Sequence, residues 1–155
     1  MSESPWIDGA TKFFSDAHPL FSRLKMRPIE IGAGEVLVRA TLGDVFKHGA
    51  MPNHVHNGTL TIIADTITGF AVITKLEKMQ PIATISLRTE YIAKAHVGDV
   101  VECRAVCYAV RGSVAFARSE IHLKETGEIL ANSTGAFMIG TKGPDFQTWS
   151  DGTKP

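Results

Sequence analysis

Asn53-His54-Val55-His56-Asn57-Gly58 runs directly into Thr59-Leu60-Thr61-Ile62-Ile63-Ala64-Asp65. A polar, glycine-containing turn opens an apolar run, and one carboxylate sits inside that run. Asp is a poor helix-interior residue and is seldom buried without a partner. A charge held there is either tied down by the structure or kept for chemistry. Farther along, Leu60, Ile63, Ile67, Phe70, Ala71 and Ile73 fall close to helical spacing, and Ile62 and Val72 widen the apolar arc. A helix apolar on most sides is a buried helix. The spacing predicts one over 57–76.

What covers such a helix is legible on both sides of it. After Pro81 the period changes to two, with Ala83, Ile85, Leu87 and Tyr91 on one face and Thr84, Ser86, Arg88 and Glu90 on the other. His96-Val97-Gly98-Asp99 makes a turn. Long strands come next over 100–110, 113–124 and 129–139, joined by turns at Arg111-Gly112 and Glu125-Thr126-Gly127-Glu128. Ahead of the helix, strands are expected over 27–31 and 35–42 around the hairpin turn Gly32-Ala33-Gly34. In the second, Val36, Val38, Ala40 and Leu42 share one face. Gly49, Pro52 and Asn53 argue for a loop over 43–55. The segment 6–24 carries Phe13, Phe14, Leu20, Phe21 and Leu24, and Pro19 splits it into two short helices. The economical architecture is α+β: a curved antiparallel sheet wrapped around one long central helix. One domain covers 1–140, with a helical extension over about 1–24 and a flexible tail over 141–155, rich in Gly, Pro, Asp and Lys.

A length of 155 residues suits a single core. Lys plus Arg equals Asp plus Glu at 16 each, and the basic residues form no stripe, so nothing calls for nucleic acid or an anionic membrane. No apolar run approaches the roughly 20 residues of a membrane span. Met1-Ser2-Glu3-Ser4-Pro5 lacks the pattern of a signal peptide, so a soluble cytoplasmic protein is expected. Cys103 and Cys107 share one strand. Four strand residues span about 13 Å, too far for a disulfide. Both are expected as reduced core residues.

This order of elements, with the residues at the helix start, resembles the hotdog-fold acyl-CoA thioesterases of the PaaI-like type. That family carries His-Gly-Gly at the start of its central helix and an acidic residue nine positions after the His. Here His56-Asn57-Gly58 and Asp65 match in spacing. The segment 84–93, with Tyr91 and then Gly98-Asp99, is similar to the family's strand after the helix. Thr84 falls where some members have a Ser or Thr that assists the chemistry. Three positions depart from the pattern. Lys94 stands for a Pro, Asn57 for the middle Gly, and Ala50 for an Asn six residues before the His.

The resemblance implies hydrolysis of a CoA thioester of an acyl or aryl-acyl group. Asp65 is then general base or nucleophile, and the backbone N–H of Asn57 or Gly58 is the oxyanion donor at a helix N-terminus. His56 belongs to the turn, either as a structural residue or as an acid–base group. Eight helical residues rise about 12 Å, so one helix does not bring both groups to one carbonyl. The consequence is a site shared between subunits, in a homodimer or a dimer of dimers. CoA is part of the substrate; no other cofactor and no metal is expected, since His48, His54 and His56 lack a completing ligand. Lys94, Arg111 and Lys124, near strand ends, are candidates for the CoA phosphates. Two other readings compete. A hotdog dehydratase or hydratase would pair His56 with Asp65 across the dimer, and Asp44 with His48 resembles a hydratase loop. A non-catalytic acyl-CoA binding protein would fit the departures at Asn57 and Ala50.

Overall fold

The computed structural model of the chain describes residues 5–16 and 19–142. The chain forms α1 (Pro5–Asp16), α2 (Pro19–Arg23), β1 (Arg27–Gly32), β2 (Glu35–Thr41), β3 (Lys47–His48), β4 (Met51–Val55), α3 (Asn57–Lys75), β5 (Ile82–Tyr91), β6 (Val100–Arg111), β7 (Val114–Leu123) and β8 (Ile129–Ile139). Six strands make one sheet in the order β1-β2-β6-β7-β8-β5, antiparallel throughout. The sheet curls around α3, which touches β2, β5, β6, β7 and β8. This is the hotdog fold expected from the sequence, with α1 and α2 packed at one end through Phe14, which meets Phe70 edge-on at 5.2 Å. The proposed tail falls almost wholly outside the described residues.

Burial explains why α3 sits inside. Leu60, Ile63, Ala64, Ile67, Ala71 and Val72 are at most 1% exposed, and they meet the inner residues Val36, Val38, Val101, Cys103, Ala105, Ile121 and Phe137. On this surface two polar side chains pair with each other: Thr68 donates to Ser119 at 2.9 Å, both buried. A buried hydroxyl without such a partner costs on the order of 1–3 kcal/mol. Cys103 and Cys107 are free and buried, as their spacing implies.

Two expectations need correction. The segment 43–55 is not a plain loop: after a short 3-10 turn at Asp44–Phe46 it forms the β3–β4 hairpin, despite Pro52 and Asn53. β4 is held from the other side as well, by Val55 N–H to Ala95 O at 2.9 Å, Val97 N–H to Asn53 O at 3.2 Å and a bridge between His54 and His96. These bonds come from a segment some 40 residues away, beyond the reach of a local pattern. The second correction concerns β5. Its register against β8 slips between Thr84 and Ser86, so Ile85 is an extra residue. A bulge of this kind reverses the facing of the residues beyond it. Thr84 therefore shares a face with Leu87 and Tyr91 instead of opposing them, and Ile85 is left 53% exposed.

Candidate active site

The polar turn ahead of α3 does two jobs at once. His56 is the N-cap, with extended backbone, and its carbonyl accepts from Thr59 N–H at 2.9 Å. Its ring Nδ1 accepts from Gly58 N–H at 3.0 Å. A helix start leaves several N–H groups unpaired and a partial positive charge around them. Here two of these are claimed by His56 itself. Asn57 N–H makes no hydrogen bond among the described residues, so the turn presents one free donor. Gly58 is glycine for a local reason: a Cβ there would sit 3.0 Å from the His56 Nδ1 that caps it.

Two turns along α3, Asp65 is half-buried on the side of the helix that faces β5. Thr84 donates to its Oδ1 at 2.8 Å. The β5 bulge is what turns Thr84 toward the helix. One helical turn before Asp65, Thr61 is joined to the Tyr91 hydroxyl by a second hydrogen bond from α3 to β5. Two hydroxyl bonds thus join helix and edge strand beside the apolar contacts of Ile82 and Leu87, with Tyr91 still 45% exposed.

A pocket of about 250 Å³ opens at the start of α3, lined by His48, Met51, His54, Val55, His56, Asn57 and Lys94. The rings of His48 and His56 stack, centroids 5.7 Å apart and 14° from parallel. His54 lies 4.8 Å from His96, centroid to centroid. Partial burial, then Lys94, His96 and His48 nearby, hold His54 below the ordinary histidine pKa. Among the described residues no group of three His, Cys, Asp or Glu is placed to hold a metal ion, and no helix is long and apolar enough to cross a membrane.

The structure therefore brings Thr84 to Asp65 and gathers His48, His54, His56, Asn57 and Lys94 at the helix start. It leaves Asp65 about 12 Å along α3 from Asn57 by helical rise. Arg111 sits at the β6–β7 turn, and Lys124 lines a different cleft with Gly98 and Asp99. Asn53, exposed on β4, lies outside the pocket lining, while His48 is part of it. By sequence, His96 is only a turn residue. Its place beside His54 comes from the pairing of β4 with the segment after β5, which leaves no local signal. The Thr61–Tyr91 bond is also absent from the sequence reading, although helical spacing puts Thr61 four residues before Asp65 on the same face.

Comparison with known proteins gives the family and the fold. The sequence matches the thioesterase superfamily over residues 52–130, just over half of the chain and including the whole of α3. It is 31% identical over 93 residues to a predicted esterase of Pseudomonas aeruginosa, covering 60% of this chain and 68% of that protein. Solved structures share the fold. The Escherichia coli PaaI protein from the phenylacetic acid degradation operon superposes with a TM-score of 0.73 at 16% identity, over 85% of this chain and 91% of that one. A hypothetical thioesterase from Streptococcus pneumoniae with coenzyme A gives 0.72 at 18%, over 86% and 99%. A PaaI variant from Thermus thermophilus gives 0.68 at 24%, over 78% and 98%. By its sequence match, and in agreement with its fold, the chain belongs to the thioesterase superfamily.

Proposed function

We propose that the protein hydrolyses the CoA thioester of an acyl or aryl-acyl group, with Asp65 as general base or nucleophile and Asn57 N–H as an oxyanion donor. The observation that carries this is the Thr84–Asp65 hydrogen bond, which fixes a half-buried carboxylate on the open side of a buried helix. Water adds to the carbonyl carbon, Asp65 takes its proton, and the C–S bond breaks to release CoA thiol and the acid. In the nucleophile variant Asp65 adds first and water cleaves the resulting anhydride. The helix dipole and the Asn57 N–H stabilise the oxyanion formed on the way. Lys94 at the pocket rim offers a cation to the CoA phosphates. Coenzyme A in the Streptococcus pneumoniae structure supports the CoA part of the substrate, and the phenylacetic acid operon of the Escherichia coli protein supports an aryl-acyl group.

The gap of about 12 Å between Asn57 and Asp65 is closed by a second subunit. Strand β5 invites one: it is a ten-residue strand at the sheet edge, whose outer side pairs with no strand among the described residues. Such edges pair readily with another copy. Two copies joined there give two sites, each with Asp65 from one subunit and Asn57 from the other.

The test is thiol release from a panel of acyl- and aryl-CoAs. Asp65→Asn should lower turnover by about 10³-fold or more while leaving the circular dichroism unchanged, since about 4 kcal/mol of barrier is at stake. Hydration of an enoyl-CoA without thiol release would favour a hydratase instead, and binding with neither reaction a carrier or sensor. A strict monomer by sedimentation would sink the shared site.

A further inference from the structure

The pocket at the start of α3 holds donors that general-base hydrolysis by Asp65 leaves idle. Stabilising a tetrahedral oxyanion is typically the work of two or more aimed donors. Of the backbone groups at this turn, Gly58 N–H is bound to His56 Nδ1 and Thr59 N–H to His56 O. Among the described residues only Asn57 N–H remains free, so the turn by itself is one donor short.

His48 is placed to supply the second. Its Nδ1 accepts from Ala50 N–H at 3.2 Å. A ring nitrogen that accepts carries no proton, so neutral His48 keeps its hydrogen on Nε2, at the ring edge away from the β3–β4 turn. Stacking on His56 holds the ring plane, and His56 is itself fixed through Nδ1. His48 Nε2 bonds to nothing among the described residues, and the ring is half-buried in the pocket wall alongside Asn57. The other polar groups in the lining are worse placed: Lys94 is an exposed flexible cation, and the His54 ring lies against His96.

We infer that His48 is a catalytic residue whose Nε2–H, together with Asn57 N–H, holds the thioester carbonyl oxygen as it becomes an oxyanion. The inference rests on the hydrolase reading and adds to it a preorganised side-chain donor from the hairpin. It also gives the β3–β4 hairpin a purpose: the Ala50 bond fixes the tautomer that makes His48 a donor.

Two substitutions separate this role from a structural one. His48→Gln keeps an N–H near the place of Nε2 but gives up the acceptor for Ala50. His48→Asn keeps an acceptor near the place of Nδ1, and its shorter side chain brings no N–H to the place of Nε2. A donor role predicts that His48→Ala and His48→Asn each lose about 10²-fold in kcat with KM little changed, and that His48→Gln recovers much of the loss. A turn-holding role predicts the reverse order for Asn and Gln. The second measurement needs no turnover. In the Asp65→Asn background, the infrared carbonyl stretch of a bound ¹³C-labelled acyl-CoA should lie at lower frequency with His48 than with Ala in its place. An unchanged stretch, or full activity in His48→Asn, overturns the inference while leaving Asp65-dependent hydrolysis standing. Failure of the wild-type protein both to bind and to cleave any acyl-CoA overturns the hydrolase reading and this inference with it.

Discussion

Strand β7 lies in the middle of the sheet and meets α3 through Ala115, Ala117, Ser119 and Ile121, all buried, whereas β5 lies on the rim and has no buried residue. Small side chains let β7 come close to the helix, and its polar contact with α3, Ser119 with Thr68, is buried and shared with the Cys103 thiol. β5 packs Ile82 and Leu87 on the same core but adds two open polar bonds to the helix, Thr84 to Asp65 and Tyr91 to Thr61. The difference lies in where packing stops. A carboxylate can be kept for chemistry only where water and substrate still reach it, and the rim strand provides that place. The middle of the sheet supplies the stability that lets the rim stay open.

The largest expected effect lies on the sealed side. Phe137 is 1% exposed and lies against Gly69 of α3, where an added Cβ would come within 3.4 Å of the ring. Phe137→Ala should cost about 3–5 kcal/mol of unfolding free energy in urea. At temperatures where the variant remains folded, its kcat should stay near that of the parent. A large loss of kcat in the folded variant would mean that the two sides are not separable.

Gly135 joins the two regions and should show an intermediate effect. A Cβ there would stand 3.0 Å from the Ser86 carbonyl oxygen, 3.0 Å from the Phe137 ring and 3.1 Å from Leu87. The ring and Leu87 can adjust, but the Ser86 carbonyl belongs to the backbone of the β5 bulge. Gly135→Ala should cost about 1–3 kcal/mol and, unlike Phe137→Ala, should lower kcat as well. The bulge sets the face on which Thr84 stands, so shifting it takes the hydroxyl away from Asp65. Thr84→Ala removes that one hydrogen bond directly. Being on the rim, it should cost under about 1 kcal/mol of stability but about tenfold in kcat, a tenfold rate change being about 1.36 kcal/mol of barrier. A Thr84→Ser variant should restore most of the rate.

The same contrast explains what the sequence could tell. The helix, the meander and Asp65 were legible because their patterns are local: a 3.6-residue period, a two-residue period and a carboxylate out of place. The facing of β5 was not, because Ile85 becomes an extra residue only through its pairing with β8. The available clue was Gly135 inside an otherwise regular strand, since a glycine there often marks a bulge or a close backbone approach. The β3–β4 hairpin escaped for a related reason, its strands being too short to show a period and its bonds to Ala95 and Val97 being distant in sequence. At the site, the spacing from His56 to Asp65 was readable, and Thr84 came from resemblance alone. That His56 takes the Gly58 N–H depends on the orientation of one ring, which no spacing encodes.

The smallest effect should appear only in alkali, and it measures how tightly the middle of the sheet is sealed. Cys103 lies on β6 under α3, and burial drives its thiol up to about 12, with a hydrogen bond to Ser119 pulling weakly the other way. An unfolded chain ionises the same thiol near its ordinary value. The folded state therefore keeps the proton where the unfolded state gives it up. Stability from this group is full below the ordinary thiol pKa and is lost as pH rises from there toward 12. Lysines and tyrosines titrate in the same range, so the comparison is with Cys103→Ala, whose stability should fall less steeply above about pH 9 than that of the parent. In the folded protein at about pH 8, Cys103 should resist a thiol reagent until global unfolding exposes it. Cys107, buried as well but with its thiol raised less far, should react first. Fast labelling of Cys103 in the native state would show that the sheet opens over α3 in its middle as well as at its rim.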